Sequence, residues 1–292
     1  NYAYTVGGGM YNGGAMYIGD GATVTLDECW VEAGWAYYGG GIYVDTGSVT
    51  LTDSTVSDNA SYYHGSGVHL AAGASLEATD THFLDNNGSY AHGGAIFATG
   101  ATVTIDGGTI SGNGSSYYWY GYYGGAVYAE TGSIVTISAA IINDNQGYGG
   151  GAVYVTDASS LALDGCTLDG NYAYYGGAID GRYDATITVV DSYLSSNSSY
   201  YSGGAIYLYD DFALDLDDSI LLDNVATYGS GGAIHANTDG AASIDGTSVD
   251  SNTAYYYGGG IYAADLGTEL AIADSDLTSN TATHRSGGGV YV

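Results

Sequence analysis

The sequence predicts an all-β chain, a single right-handed parallel β-helix of about 10–11 coils with three short strands per coil. Three observations predict it. A pentapeptide of the form Gly-(Gly/Ser)-(Ala/Gly)-(Ile/Val/Met)-(aromatic or His) returns every 26 to 31 residues. Such a period, within the roughly 20–50 residues of repeat architectures, marks stacked units. Short apolar runs alternate with Thr at the period of a half-buried strand. The offset between the second and third apolar runs never changes. Parallel crossovers are right-handed, which sets the expected hand.

The coils begin near Met16, Ile42, Val68, Ile96, Val127, Val153, Ile179, Ile206, Ile234, Ile261 and Val290, and make residues 1–292 one elongated domain. In the first strand, typified by Gly150-Gly151-Ala152-Val153-Tyr154, alternation sends Val153 and Val155 inward and Ala152 and Tyr154 outward. The second strand is typified by Val49-Thr50-Leu51, with Thr on the outside. Five residues after its last apolar residue stands the third-strand position, Val31, Val56 and Phe83 in the first three cases. Two residues before that lies a small residue, such as Cys29, Ser54 or Cys166, expected to point inward at a corner. Three residues after it stands Asn59, Asn86, Asn113, Asn145, Asn171, Asn197, Asn224, Asn252 or Asn280, with Gly34 in the first coil. Asn tolerates left-handed backbone angles, and stacked amides bond one another, so this column reads as an asparagine ladder in a turn, with Asn1 at its head. The segment from each Asn to the next first strand varies in length and reads as a loop, longest from Gly114 to Gly125.

Composition narrows the function. The chain has 50 Gly, 33 Tyr, no Pro and two basic residues against 32 acidic ones, for a formal charge of −30. That charge excludes nucleic acid and anionic membrane surfaces as electrostatic partners and favours bound cations. No apolar run reaches the roughly 18 residues of a membrane-crossing helix, so no membrane insertion is expected. Cys29 and Cys166 share a column five coils apart. At ~4.8 Å per coil they are separated by ~24 Å, beyond the ~7 Å reach of a disulfide, and read as buried thiols.

Gly-Gly-Ala-Ile followed at a distance by apolar-x-x-Asn, once per coil, resembles the polymorphic outer-membrane protein repeats with their GGAI and FxxN motifs. Phe83-Leu84-Asp85-Asn86 and Gly93-Gly94-Ala95-Ile96 are the nearest pair, and the resemblance covers nearly the whole chain. Most FxxN sites here carry Val, Ile or Leu instead of Phe. The resemblance implies an extracellular or cell-surface location, secretion and an adhesive role.

The candidate contact residues are aromatic. Tyr17, Tyr43, Phe97, Tyr128, Tyr154, Tyr207, Tyr262 and Tyr291, with His69 and His235, occupy one outward column broken at Asp180. Rings ~4.8 Å apart can stack with an offset. More tyrosines fill the loops, among them Tyr37-Tyr38, Tyr62-Tyr63, Tyr117-Tyr118, Tyr122-Tyr123 and Tyr174-Tyr175. Such a face suits other copies of the chain or surface glycans. Asp180 with Arg182 and Asp184 reads as a surface salt bridge, and His64, His69 and His92 as rings within reach of one another. The turn after the second strand carries Asp27, Asp53, Asp80, Asp106, Asp164, Asp191, Asp217, Asp245 and Asp274. Stacked carboxylates without Lys call for counter-ions, and calcium fits such ligands, although the calcium nonapeptide is absent. No other cofactor is expected.

Neither terminal coil carries a polar cap, which points to Tyr2, Tyr4, Met10, Tyr11, Val290, Tyr291 and Val292 as an end-to-end interface. The expected function is therefore a non-enzymatic extracellular structural protein that self-associates as a filament or surface fibre. The alternatives are an adhesin or carbohydrate-binding passenger domain, and a polysaccharide lyase or hydrolase. Against the last, Arg182 and Arg285 lie four coils apart and cannot share a site.

Overall fold

A computed structural model describes residues 11–115, 121–264 and 267–292, with the backbone alone of Tyr2–Tyr4 and of residue 115. The described residues contain strands, turns and no α-helix. Asn1, Met10, Tyr117 and Tyr118 lie outside them.

Every strand pairing is parallel and joins a coil to the next. Sheet one stacks 11 strands, among them Met16–Ile18, Ile42–Val44 and Val153–Val155. Sheet two stacks 10, among them Ala22–Asp27 and Gly47–Thr52, and sheet three stacks 11, among them Trp30–Glu32 and Thr55–Ser57. Met16 pairs with Ile42, Val24 with Val49 and Val31 with Val56, so the apolar columns read from the sequence run in register. Ile42, Val49, Val56 and their successors are buried in one continuous core up to the last coil, where Leu270, Leu277 and Val290 are half-buried and Ile272 is exposed. Stacking supplies that core, since a lone coil has nothing above or below to bury it.

The segment after each Asn is more than a loop. In most coils it begins with a fourth short strand. Trp35–Tyr38 pairs with Ala60–His64, Asn87–Gly88 with Gly114–Ser115, and Tyr172–Tyr175 heads a five-stranded sheet. Its lateral pairing fixes where the tyrosines of this segment stand.

The asparagine ladder is present from Asn59 to Asn280. Asn113 shows its bonding. Its Nδ2 donates to Asn145 Oδ1 at 3.0 Å and to the Phe83 carbonyl at 2.9 Å, while its Oδ1 accepts the Asn86 backbone N–H and Nδ2, both at 3.0 Å. The left-handed residue is not the Asn but the one before it, such as Asp58 at φ 54°, Asp85 at 52° and Ser196 at 53°. The Asn is kept for its amide, which satisfies backbone groups at a buried corner. The small-residue column is buried as well, and Ser192 Oγ accepts the Cys166 backbone N–H at 3.0 Å. Cys29 and Cys166 are unpaired thiols.

Two expectations about sheet one fail. Ala152 does not face outward. It is fully buried, as are Ala95, Ala126, Ala178 and Ala205 in the same column. The backbone turns at Gly150 (φ 59°), so strict alternation starts only at Val153. Where Gly replaces this Ala, at Gly67, a Cβ would meet the Asn86 amide carbon at 3.2 Å and Val56 at 3.3 Å, which places the column against the asparagine ladder. Nor is the aromatic column the surface of the rod. Phe97, Tyr154 and Tyr207 are 4%, 5% and 7% exposed, because His64, Tyr123 and Tyr175 of the variable segments fold over them, whereas Tyr17 in the first coil is 54% exposed.

Candidate functional site

One side of the rod is built of aromatic rings in three columns. The inner column rises from sheet one. Its neighbours, Tyr17–Tyr43, Tyr43–His69, His69–Phe97, Phe97–Tyr128 and Tyr128–Tyr154, lie 4.8–5.5 Å apart. Past the break, Tyr207–His235, His235–Tyr262 and Tyr262–Tyr291 continue at 4.5–5.6 Å. Each of these pairs is within 20° of parallel, the offset stack expected of identical strand positions. The hydroxyls find carboxylates at two rungs. Tyr17 donates to Asp45 at 3.0 Å and Tyr128 to Glu130 at 3.1 Å. Burial raises the Tyr128 and Tyr154 hydroxyls well above the ordinary phenol range and pushes Tyr207 up to about 12, so all three stay protonated.

The middle column comes from the residue just before each first Gly. Tyr38 rests on His69 (5.5 Å between centroids), His64 on Phe97 (4.5 Å), His92 on Tyr128 (5.1 Å), Tyr123 on Tyr154 (4.5 Å) and Tyr175 on Tyr207 (5.0 Å). Each covers the inner ring one coil further on. The outer column holds Tyr11, Tyr37, Tyr62, Tyr90 and Tyr122, then Tyr148, Tyr174, Tyr200, Tyr228 and Tyr255, with neighbours 4.9–6.0 Å apart. Tyr11, Tyr63, Tyr201 and Tyr228 present their rings to solvent. The sequence contained the signal for this layering, since an aromatic or His stands before the Gly pair in most coils. Read as loop residues, they gave no hint that they cover the inner column.

The break at Asp180 is a buried ion pair and not a surface salt bridge. Asp180 has no exposed surface and Arg182 only 15%. Arg182 Nε and one Nη each donate to a different Asp180 oxygen at 2.8 Å. The guanidinium stands 5.8 Å from the Tyr123 ring, 5.9 Å from Tyr154, 5.3 Å from Tyr175 and 5.1 Å from Tyr207, filling the missing rung. Burial pushes the Asp180 carboxyl up, opposed by Arg182. Burial also works against the charge on Arg182, but Asp180 outweighs it and tightens its hold on the proton. The middle column adapts too. Gly149 occupies the position that covers residue 180, and a Cβ there would come within 2.3 Å of Asp180 Oδ2. Asp184 has left-handed backbone, φ 62°, and takes no part in the pair.

His64, His69 and His92 do come together, with centroids of His64–His92 at 5.2 Å and His64–His69 at 6.3 Å, as members of the stack. Burial lowers His64 and His92 to about 4, His69 to about 3 and the equally buried His235 to about 4, so all four are neutral at pH 7. The acidic turn resolves into two columns. Asp27, Asp106, Asp164, Asp217 and Asp245 end strands of sheet two. Asp53, Asp80, Asp191 and Asp274 follow one residue later, at φ 43–48°. Left-handed backbone accounts for the second set without a metal, because Asp tolerates it. Among the described residues no group of three or more His, Cys, Asp or Glu side chains could hold a metal ion.

Of the proposed end residues, Tyr2 and Tyr4 pair with Trp30 and Glu32, and Val290 and Tyr291 with Ile261 and Tyr262. Tyr11 and Val292 are exposed. Asn87, the one glycosylation sequon outside the ladder, is exposed and donates to the Asp85 carbonyl at 3.0 Å.

A family model described as a right-handed β-helix region matches residues 40–292. No curated protein and no solved structure matches the chain.

Proposed function

The chain belongs to the right-handed β-helix family, and we propose that it is a non-enzymatic structural or adhesive rod of the cell exterior whose tyrosine-covered side is its contact surface. The observation that carries this reading is the layered aromatic side itself. Its inner rings are stacked and, from Tyr43 onward, buried or half-buried, so the outer rings rest on a fixed support before any partner arrives. Rigid tyrosines give contact area at low entropic cost. Polysaccharide lyases and hydrolases share the fold, yet the most buried acid–base pair is turned inward. Asp180 and Arg182 spend both their hydrogen-bonding edges on each other. Left-handed backbone accounts for Asp53, Asp80, Asp191 and Asp274 in the acidic turns, and stacking repeats the carboxylates from coil to coil, so their proximity alone does not support catalysis.

The test is a binding panel. Immobilised chain is exposed to glycans, to basic polypeptides and to itself, beside the variant Tyr11→Ser/Tyr63→Ser/Tyr201→Ser/Tyr228→Ser. Binding lost in the variant with an unchanged melting temperature supports the reading. Binding indifferent to these rings overturns it, as does reducing-sugar release that a single Asp substitution abolishes. Negative-stain images separate contact between copies, seen as filaments, from contact with foreign partners.

A further inference from the structure

Both basic side chains of this chain lie on tyrosine rings of the same side. Arg182 is enclosed by four of them. Arg285 stands 5.2 Å from the Tyr256 ring and 5.3 Å from Tyr257, and its Nη1 donates to the Tyr257 hydroxyl at 2.7 Å. A guanidinium over the face of an aromatic ring is attracted by the ring quadrupole and keeps its donors free for polar groups at the edge. Within this chain, that is the observed use of the tyrosine layer wherever a cation is available.

Near the first coils the same layer has an open place. Tyr11, Tyr37, Tyr38 and Tyr63 wall a cleft of about 310 Å³. Tyr63 lies 5.7 Å from Tyr37 and 5.4 Å from Tyr38, and Tyr11 lies 5.7 Å from Tyr37. Two walls stand well out into solvent, with Tyr11 71% and Tyr63 41% exposed. The cleft thus presents four rings, as the surroundings of Arg182 do, and no side chain of the described residues occupies it.

We propose that this cleft receives an arginine side chain of a cationic partner polypeptide. The proposal rests on the tyrosine side being the contact surface, and names the class of partner. Charge selects a cation, because the chain carries −30 and concentrates positive groups along its length. The same charge opposes a second copy of the chain. The ring environment selects guanidinium over ammonium, which is more strongly hydrated and stacks less well. Multivalency selects a polypeptide over a small cation. One exposed cation–ring contact is worth only about two- to fivefold in affinity, so useful binding needs further positive charges on the same ligand to engage the acidic rod.

The experiment uses the full chain, an arginine-rich peptide and its lysine-for-arginine counterpart, with fluorescence anisotropy at physiological salt. The arginine peptide is expected to bind several-fold more tightly. Tyr11→Leu/Tyr63→Leu should remove that preference, and Tyr11→Phe/Tyr63→Phe should keep it, since the rings remain. All four substitutions lie at exposed rings, and an unchanged melting temperature checks the fold. The control Tyr201→Leu/Tyr228→Leu, far along the same side, should leave the preference intact. Equal affinity for the two peptides overturns the proposal. If the distant pair matters and the cleft pair does not, the cleft assignment falls while the tyrosine side stands as a contact surface. If neither pair matters, both fall.

Discussion

The rung at Tyr154 and the next one, at Asp180, occupy the same position of sheet one, paired residue to residue. Tyr154 fills its place with a ring that stacks on Tyr128 and is covered by Tyr123. Asp180 fills its place with a carboxylate, a guanidinium folded back from Arg182, and the empty volume left by Gly149. Both are closed from water and both keep the stack continuous. The first needs one residue and a neighbour of its own kind. The second needs three specific residues in two coils, because a buried charge is tolerable only when paired and given room. A ladder position therefore specifies a shape and a flat π-like surface, not a residue type.

The sharpest way to break the comparison is Asp180→Ala. It leaves Arg182 beneath the tyrosines without its partner, and should cost about 3–5 kcal/mol in denaturant unfolding. The double variant Asp180→Tyr/Arg182→Thr restores a ring at the rung and should recover most of that loss, since apolar replacement of a buried ion pair is often neutral, with the space above the new ring at Gly149 accounting for what remains. A stable single variant would mean that the pair contributes little.

The rungs filled by imidazole respond to acid. Their folded pKa values lie below the ordinary value of 6.5, so the unfolded chain binds more protons in between. Their contribution is complete above pH 6.5 and is lost as pH falls toward about 4 for His235 and about 3 for His69. The loss is on the order of 3 kcal/mol for His235 and about 5 kcal/mol for His69. His69→Phe should make that acid limb shallower in a melting-temperature profile, with His64, His92 and His235 keeping the remainder, because Phe97 shows that a phenyl ring fits the stack.

Gly149→Ala should cost about 1–3 kcal/mol by overpacking against the carboxylate. In an Asp180→Ser background the cost should shrink, though the Tyr123 ring, 2.8 Å from the added Cβ, would retain part of it. Non-additivity in a double-mutant cycle is the measurement. Smallest of all, Tyr201→Ser at a 40% exposed ring should change thermal stability by less than about 0.5 kcal/mol.

Much of this was legible in the sequence. Fixed offsets placed Val56, Asn59 and their successors in register, because one-coil stacking lets no column slip without every other column slipping. The asparagine ladder was legible for the same reason. What escaped were contacts between segments of variable spacing. Tyr123 stands in a variable segment and Tyr154 in a strand of the next coil, and no fixed offset links them. Ala152 was misplaced because alternation was carried back through a left-handed Gly150. The left-handed turn residue was assigned to Asn59 although Asp58 holds it, since both residue types tolerate that backbone and only the amide bonding of Asn59 decides between them. Asp180 and Arg182 were recognised as the anomaly, but their burial depends on Gly149, a residue that looks ordinary in a chain with 50 glycines.

Gly149 also bears on inheritance. In a solenoid each coil contacts only its neighbours, so a coil whose rung is a ring can be replaced by another of that kind without changing what its neighbours meet. The stretch from Tyr123 to Tyr207 cannot. A crossover between Gly149 and Asp180 would deliver a carboxylate beneath a bulky middle-column ring, or a cavity above a tyrosine. Those coils form a linked block, copied together or damaged, and the ion pair marks where the modular rod ceases to be interchangeable.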